Sequence, residues 1–115
     1  MKIGLVGVGN MGRPIAYNIL EAGFELTVYD VREEAMREVV ASGAKASDSP
    51  KEVAQLSDVV IMSLPNDSAV EEVVLGEDGT LAGAKRGDIF IDTSTVSPNI
   101  TRRMAKLAEE KGVDY

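Results

Sequence analysis

A glycine-rich turn near the N-terminus constrains this chain more than any other feature. Gly7, Gly9 and Gly12 have G-x-G-x-x-G spacing and lie where an apolar strand pattern at residues 3–6 gives way to a helical one. The first glycine of such a turn permits a sharp bend, the second leaves room for a pyrophosphate, and the third lets the helix pack on the strand. Unpaired amides and the helix dipole also favour an anion there. The predicted contact residues of this turn are Gly7, Val8, Gly9, Asn10, Met11 and Gly12.

An acidic residue follows the second predicted strand, at the distance that a dinucleotide-binding turn requires. The first helix is predicted to end before Gly23, which can adopt the left-handed backbone that stops a helix. A strand at residues 25–29 then leads to Asp30, eighteen residues after the last glycine of the turn. Such a carboxylate accepts hydrogen bonds from the adenosine ribose. We therefore predict that Asp30, Val31 and Arg32 form the ribose end of the site; the alternative is a ligand-free turn with a solvated aspartate.

Composition excludes several kinds of chemistry and of partner. The 115 residues contain no cysteine and no histidine, which removes disulfides, thiolate nucleophiles, imidazole bases and the usual zinc and haem ligands, so no metal site is predicted. The net charge of −7 argues against nucleic acid and against anionic membrane surfaces. The longest apolar run, residues 59–64, is too short to span a bilayer, and the N-terminus enters a strand where a signal peptide would stand. We therefore expect a cytoplasmic protein.

Apolar residues alternate between strand and helix spacing along the chain. Strands are predicted at residues 3–6, 25–29, 45–46, 59–64 and 88–92, and helices at 10–22, 32–42, 50–55 and 98–111. A further helix, the fourth in order, is predicted to carry the apolar residues between 70 and 75. This alternation is typical of a doubly wound parallel α/β sheet, a Rossmann-like fold, in a single domain. Residues 113–115 have the pattern of the start of a sixth strand, so we expect the sequence to be part of a longer protein.

Cap residues mark several of the predicted helix starts. Ser49–Pro50 and Ser97–Pro98 each combine an N-cap serine with a proline at the first helical position. The fourth helix has three candidate caps at residues 66–68. The segment after that helix is predicted to be mainly loop, with Leu81 and Ala82 turned inward.

Three segments, in order, resemble the β-hydroxyacid dehydrogenases, a family that includes 3-hydroxyisobutyrate dehydrogenase and tartronate semialdehyde reductase. They are the glycine turn with its helix at residues 7–23, the M-S-L-P-N segment at 62–66 and the I-D-T-S-T-V-S-P segment at 91–98. The resemblance covers essentially the whole sequence. It implies that residues 1–115 form the NAD(P)-binding domain of an oxidoreductase that transfers hydride between nicotinamide and a small β-hydroxyacid or semialdehyde.

The resemblance also implies contacts that local patterns alone do not predict. Leu64 and Pro65 would contact the ribose and diphosphate region of the cofactor, and Ser94 and Thr95 would lie near the nicotinamide ribose. Without the resemblance, the first pair indicates only a strand end and the second only a capped turn. Asp30 favours NAD because its carboxylate repels a 2′-phosphate, whereas the arginine two residues later leaves NADP open.

No catalytic residue is predicted within this sequence. In the family, the groups that hold the substrate and move its proton follow the sixth strand and lie in a helical catalytic domain, which this sequence lacks. The lysines are expected to be solvated surface charges, and they are Lys45, Lys51, Lys85, Lys106 and Lys111. The 115-residue chain by itself should therefore be inactive, and the small hydroxyacid substrate would bind only the full-length protein. The surface of this domain on which the catalytic domain would pack should be apolar. Because an exposed apolar patch favours self-association, a homo-oligomer is expected.

Two other interpretations remain open. The first is a nucleotide-sensing regulatory domain of the potassium-transport type, which shares the glycine-rich opening and binds NAD(H) or ATP/ADP. Leu64–Pro65 and the D-T-S-T segment at 92–95 do not fit that pattern. The second is a domain that retains the fold but binds nothing.

Overall fold

Five parallel strands form one sheet in the computed structural model, which describes residues 1–115. The strands are β1 (Lys2–Val6), β2 (Glu25–Tyr29), β3 (Lys45–Ala46), β4 (Val59–Met62) and β5 (Ile89–Asp92). They lie in the order β3-β2-β1-β4-β5, and each neighbouring pair is parallel. The chain therefore builds outward from β1 in one direction and then returns to build outward in the other. This arrangement confirms the predicted doubly wound, Rossmann-like fold, and it opens a crevice at the carboxyl ends of β1 and β4.

Six helices cover the two faces of the sheet. They are α1 (Gly12–Glu21), α2 (Glu33–Ala41), α3 (Pro50–Gln55), α4 (Asp67–Leu75), α5 (Thr80–Gly83) and α6 (Pro98–Glu110). On the face of α1 and α2, Leu5 and Val28 are fully buried. On the opposite face, Val60 and Met62 pack with Phe90 and the apolar residues of α3 to α6. Each fully buried side chain of this kind contributes ~1.5–3 kcal/mol of transfer free energy, so alternate residues of the central strands hold both layers in place.

The predicted caps begin three of the helices. The Ser49 hydroxyl accepts a 3.1 Å hydrogen bond from the amide of Glu52 at α3, and Ser97 caps α6 in the same way. Of the three candidates before α4, Asn66 is the cap, because its side chain accepts a 2.9 Å bond from the amide of Ala69. Asp67 instead accepts from the amide of Ser97, which joins the first turns of α4 and α6.

The structure corrects the sequence prediction between α4 and β5. The segment predicted to be mainly loop contains the short helix α5, on which Leu81 is buried but Ala82 is exposed. This helix packs against α3, where a side chain at Gly83 would collide with the carbonyl oxygen of Lys51. A four-residue helix is held by such tertiary contacts and not by its own sequence, which is why periodicity did not reveal it.

Two predicted element ends shift by two residues, and several others shift by one. Helix α1 begins at Gly12, two residues later than Asn10, because the glycine turn extends to Met11. Strand β4 ends at Met62 and not at Leu64. The amide of Ser63 still bonds to β1, but the amide of Leu64 turns out of the sheet towards Ser94.

The last residues of the sequence lie beside β5. Asp114 forms a single parallel bridge with Ile89, and its carbonyl accepts a 2.7 Å hydrogen bond from the amide of Phe90. The predicted start of a sixth strand is therefore observed as a single β-bridge next to β5. Ile89 and Ile91 are 41% and 45% exposed on the face of β5 that no helix covers. No helix is both long and apolar enough to cross a membrane.

Two lysines that were predicted to be solvated surface charges have structural contacts. The ammonium group of Lys85 donates to the carbonyls of Ala54 and Ser57 at the end of α3 and pairs with Asp88. Lys111 donates to the carbonyl of Leu81. Both lysines are exposed, as predicted, but their ammonium groups also cap carbonyls of a distant element, and a local sequence pattern does not reveal that role.

Candidate functional site

The glycine turn lies at the carboxyl end of β1, with its second glycine open to solvent. Gly7 has a φ of +99°, and a side chain there would collide with the carbonyl of Ser63. A side chain at Gly12 would collide with the carbonyl of Gly7. At Gly9 the nearest neighbour of an added Cβ would be a guanidinium nitrogen of Arg32, 3.5 Å away. The first and third glycines are therefore required for the fold, whereas the second keeps the surface of the turn free.

Four backbone amides of this turn have no hydrogen-bond partner in the protein. They belong to Gly9, Asn10, Met11 and Gly12, and the first amide of the helix that is paired is that of Arg13, which donates to the Gly9 carbonyl. Met11 precedes α1 without a side-chain cap, and the first turn of α1 has no acidic residue. Unpaired N–H groups at a helix start attract an anion, so the turn has the donors and the bare surface that a diphosphate needs.

Asp30 lies directly beside the turn and is only 8% exposed. Its carboxylate accepts a 2.8 Å hydrogen bond from the amide of Val8, a 2.8 Å bond from the amide of Arg32 and a 3.3 Å bond from the Arg32 guanidinium. Burial by itself raises the pKa of Asp30, but these hydrogen bonds outweigh it and the pKa lies below its usual value. The group is therefore a carboxylate at neutral pH.

These contacts use three of the roughly four acceptor positions of the Asp30 carboxylate. One position of Oδ2 remains for a ribose hydroxyl while the Arg32 guanidinium stays in place. The Arg32 side chain is 57% exposed, so it can move and release a second position. Asp30 thus has a structural role that the sequence pattern did not reveal, in addition to the predicted one.

A cleft of about 690 Å³ extends from the turn to the residues that follow β4. Its lining includes most of the predicted contact residues, namely Gly7, Gly9, Asn10, Met11, Asp30, Val31, Arg32, Leu64 and Pro65. Val8 and Gly12 are buried beneath the turn. Neither Ser94 nor Thr95 lines the cleft. The Ser94 hydroxyl accepts a 2.8 Å hydrogen bond from the amide of Leu64, a residue that does line it.

One wall of the cleft was missed by sequence reasoning. It is formed by Ser63 and by one face of α4, with residues Ser68, Ala69, Glu72 and Val73. The i, i+4 spacing of these α4 residues shows that they share a face, but nothing local indicates that this face meets a cleft and not solvent. Val6 and Tyr29 complete the lining.

The whole sequence matches a known family. Residues 2–115 fit the family model described as the NAD binding domain of 6-phosphogluconate dehydrogenase. The chain belongs to this NAD-binding domain family. As a member it binds NAD(P). The glycine turn suits the diphosphate of that cofactor, because Gly9 has no side chain and the four amides of residues 9–12 are unpaired. The cofactor prediction is confirmed, while the roles of individual contact residues stay predictions.

Relatives of this NAD-binding domain are hydroxyacid dehydrogenases, which confirms the resemblance noted from the sequence. The chain is 44% identical over 115 residues to 2-(hydroxymethyl)glutarate dehydrogenase of Eubacterium barkeri, covering 100% of the chain and 38% of that protein. It is 37% identical to the mitochondrial 3-hydroxyisobutyrate dehydrogenase of Mus musculus, covering 98% of the chain and 34% of that protein. The domain therefore spans little more than a third of the length of these relatives.

A solved structure with the same fold is 3-hydroxyisobutyrate dehydrogenase of Mycobacterium tuberculosis, determined with L-serine. It superposes with a TM-score of 0.89 at 34% identity, over 98% of this chain and 38% of that one. The fold of this chain is thus also found in part of a solved 3-hydroxyisobutyrate dehydrogenase.

Proposed function

We propose that residues 1–115 are the cofactor domain of a β-hydroxyacid dehydrogenase that prefers NAD(H) to NADP(H). The observation that carries this proposal is the open glycine turn with the Asp30 carboxylate beside it. A negative charge at this corner opposes a 2′-phosphate and accepts a hydrogen bond from a free 2′-hydroxyl. The similarity to enzymes named for hydroxyacid and hydroxyisobutyrate substrates supports the substrate class.

Each part of the cleft has a distinct role in this proposal. The amides of residues 9–12 bind the diphosphate, and Asp30 binds the adenosine ribose. Leu64 and Pro65 contact the ribose and diphosphate region of the cofactor. Bound NAD supplies a hydride acceptor, while this domain holds and orients it.

We further propose that the substrate is held by residues outside this sequence. Hydride transfer from a hydroxyacid also needs a group that takes the hydroxyl proton and a cation or donor that binds the carboxylate. Within the cleft the only cationic side chain is Arg32, which is paired with Asp30. Lys85 and Lys111 are engaged with α3 and α5. The 115 residues therefore bind cofactor but do not complete the reaction.

Calorimetric titration of the 115-residue chain with NADH, NADPH and ATP tests the cofactor proposal. We expect NADH to bind more tightly than NADPH and ATP not to compete. Gly9→Val places a side chain over the turn and should abolish binding without unfolding the chain. Ala82→Val is the matched control, because it adds bulk of the same kind at an exposed position of α5 that does not line the cleft.

Other outcomes contradict the proposal in distinguishable ways. Tighter binding of ATP or ADP than of NADH would favour the nucleotide-sensing alternative. No binding of any nucleotide would leave only the fold. Formation of NADH from NAD and 3-hydroxyisobutyrate by the chain alone would refute the assignment of the substrate groups to residues outside it.

A further inference from the structure

A chain of hydrogen bonds runs from the last residue of the sequence to the wall of the cleft. The hydroxyl of Tyr115 donates to Oδ2 of Asp92 at 2.8 Å, and Oδ1 of the same carboxylate accepts from the amide of Ser94 at 2.8 Å. The Ser94 hydroxyl then accepts from the amide of Leu64, also at 2.8 Å. Asp92 is the central residue, because its two oxygens connect the two ends.

The Tyr115 end of this chain is fixed by packing. The ring of Tyr115 meets that of Phe90 edge-on, with centroids 6.5 Å apart and planes at 64°. Burial, followed by the hydrogen bond to Asp92, raises the pKa of Tyr115. The hydroxyl therefore stays protonated and remains a donor to Asp92 at any working pH.

The other end fixes a part of the cleft that the sheet does not hold. β4 ends at Met62, and the amide of Leu64 has Ser94 as its only hydrogen-bond partner. Leu64 lines the cleft. Without the Ser94 contact, its amide would be unpaired and the segment that carries Pro65 would be free to turn.

We propose that Asp92 and Tyr115 are positioning residues for the cofactor cleft, which act through Ser94 on Leu64. The proposal rests on the proposed function of the cleft, since it assigns these residues to cofactor affinity. Asp92 orients Ser94, Ser94 orients Leu64, and Tyr115 holds the Asp92 carboxylate in the rotamer that permits both. Asp92, Ser94 and Tyr115 act only through this chain of hydrogen bonds, because none of them lines the cleft.

A double-mutant cycle on NADH affinity tests this chain of contacts. Tyr115→Phe should raise the dissociation constant about threefold and Ser94→Ala about tenfold, as expected for the loss of one hydrogen bond. In the Ser94→Ala background, Tyr115→Phe should have no further effect, since its route to Leu64 is already broken. Ser94→Thr keeps the hydroxyl and should restore affinity. Tyr17→Phe is the matched control, because the Tyr17 hydroxyl has no protein partner and the residue packs in the α1 core.

The amide proton shift of Leu64, measured by NMR without cofactor, reports on the hydrogen bonds alone. It should move upfield in Tyr115→Phe and in Ser94→Ala, and it should not move in Tyr17→Phe.

An unchanged Leu64 shift in Tyr115→Phe overturns the proposal. Additive effects of Tyr115→Phe and Ser94→Ala on affinity, or wild-type affinity in Tyr115→Phe, overturn it as well. If the unaltered chain fails to bind NADH, the proposed function fails and the assignment to cofactor affinity fails with it, while the Leu64 shift still decides whether the contacts are coupled.

Discussion

The carboxylate of Asp30 accepts a 2.8 Å hydrogen bond from the amide of Val8, 22 residues earlier in the chain. This bond joins the end of β2 to the glycine turn after β1. Asp30 lines the cleft and is therefore also a structural element of the turn, so we expect its substitution to change both stability and cofactor choice.

Replacing Asp30 by Asn should weaken the discrimination against NADPH. The amide keeps an acceptor for a ribose hydroxyl but removes the charge that repels a 2′-phosphate. We expect the ratio of the NADPH to the NADH dissociation constant to fall about tenfold, or ~1.4 kcal/mol, in fluorescence titrations. An unchanged ratio would show that the carboxylate does not determine the preference.

The stability that Asp30 contributes should depend on pH in the acid range. Burial favours the neutral form, but the amides of Arg32 and Val8 and the Arg32 guanidinium favour the carboxylate more strongly, and the pKa is lowered. A lowered pKa stabilises the fold above the unfolded value of about 3.9, and this contribution is lost as the pH falls through the folded pKa. In urea unfolding at pH 7, Asp30→Asn should cost ~1–3 kcal/mol. The difference from the unaltered chain should shrink below about pH 4; a difference that stays constant through the acid range would contradict this account.

Alanine at Gly9 and at Gly12 should have opposite consequences. A methyl group at Gly9 contacts only the movable Arg32 side chain, so Gly9→Ala should keep its melting temperature while its NADH affinity falls. A methyl group at Gly12 collides with the carbonyl of Gly7, and overpacking against backbone should cost ~2 kcal/mol or more. Thermal unfolding and NADH titration of both variants separate the two roles. Loss of stability in Gly9→Ala would mean that the turn is not open.

Replacing Arg32 by Ala should act mainly on NADPH. The guanidinium is the only cation in the cleft and lies next to Asp30, so it is the group that can offset a 2′-phosphate. We expect NADPH affinity to fall about fivefold, a change typical of one exposed charge contact, with a smaller change for NADH. Arg32→Lys, which keeps the charge, is the control and should retain most of the NADPH affinity. Equal losses for both cofactors would instead indicate a contact with a shared part of them.

The elements that local signals specify were predicted well. Ser49 and Pro50 begin α3, and Gly23 follows α1 with a φ of +89°. Such signals act within one turn of chain, so they can be recognised without knowledge of the neighbours. The short helix α5 has no such signal and was missed.

The cleft was predicted only in part, for the same reason. The glycine turn and Asp30 are a local motif with a known spacing, and the structure brings them together. The α4 wall, the pairing of Asp30 with Val8 and the contact between Ser94 and Leu64 join residues from distant parts of the sequence. Ser94 was predicted to lie near the nicotinamide ribose, and that role stays a prediction; its hydrogen bond with the amide of Leu64 was not predicted.

The sequence by itself determined the alternation of strands and helices, the bare glycine turn and the acidic residue at the end of β2. Backbone sterics and helix capping dictate these features over a few residues, whatever the rest of the chain does. Only the tertiary structure decided which side chains face the cleft and how many acceptor positions Asp30 keeps free. Those properties depend on which elements meet across the sheet, and a contact between residues 22 or 30 positions apart leaves no pattern in either segment alone.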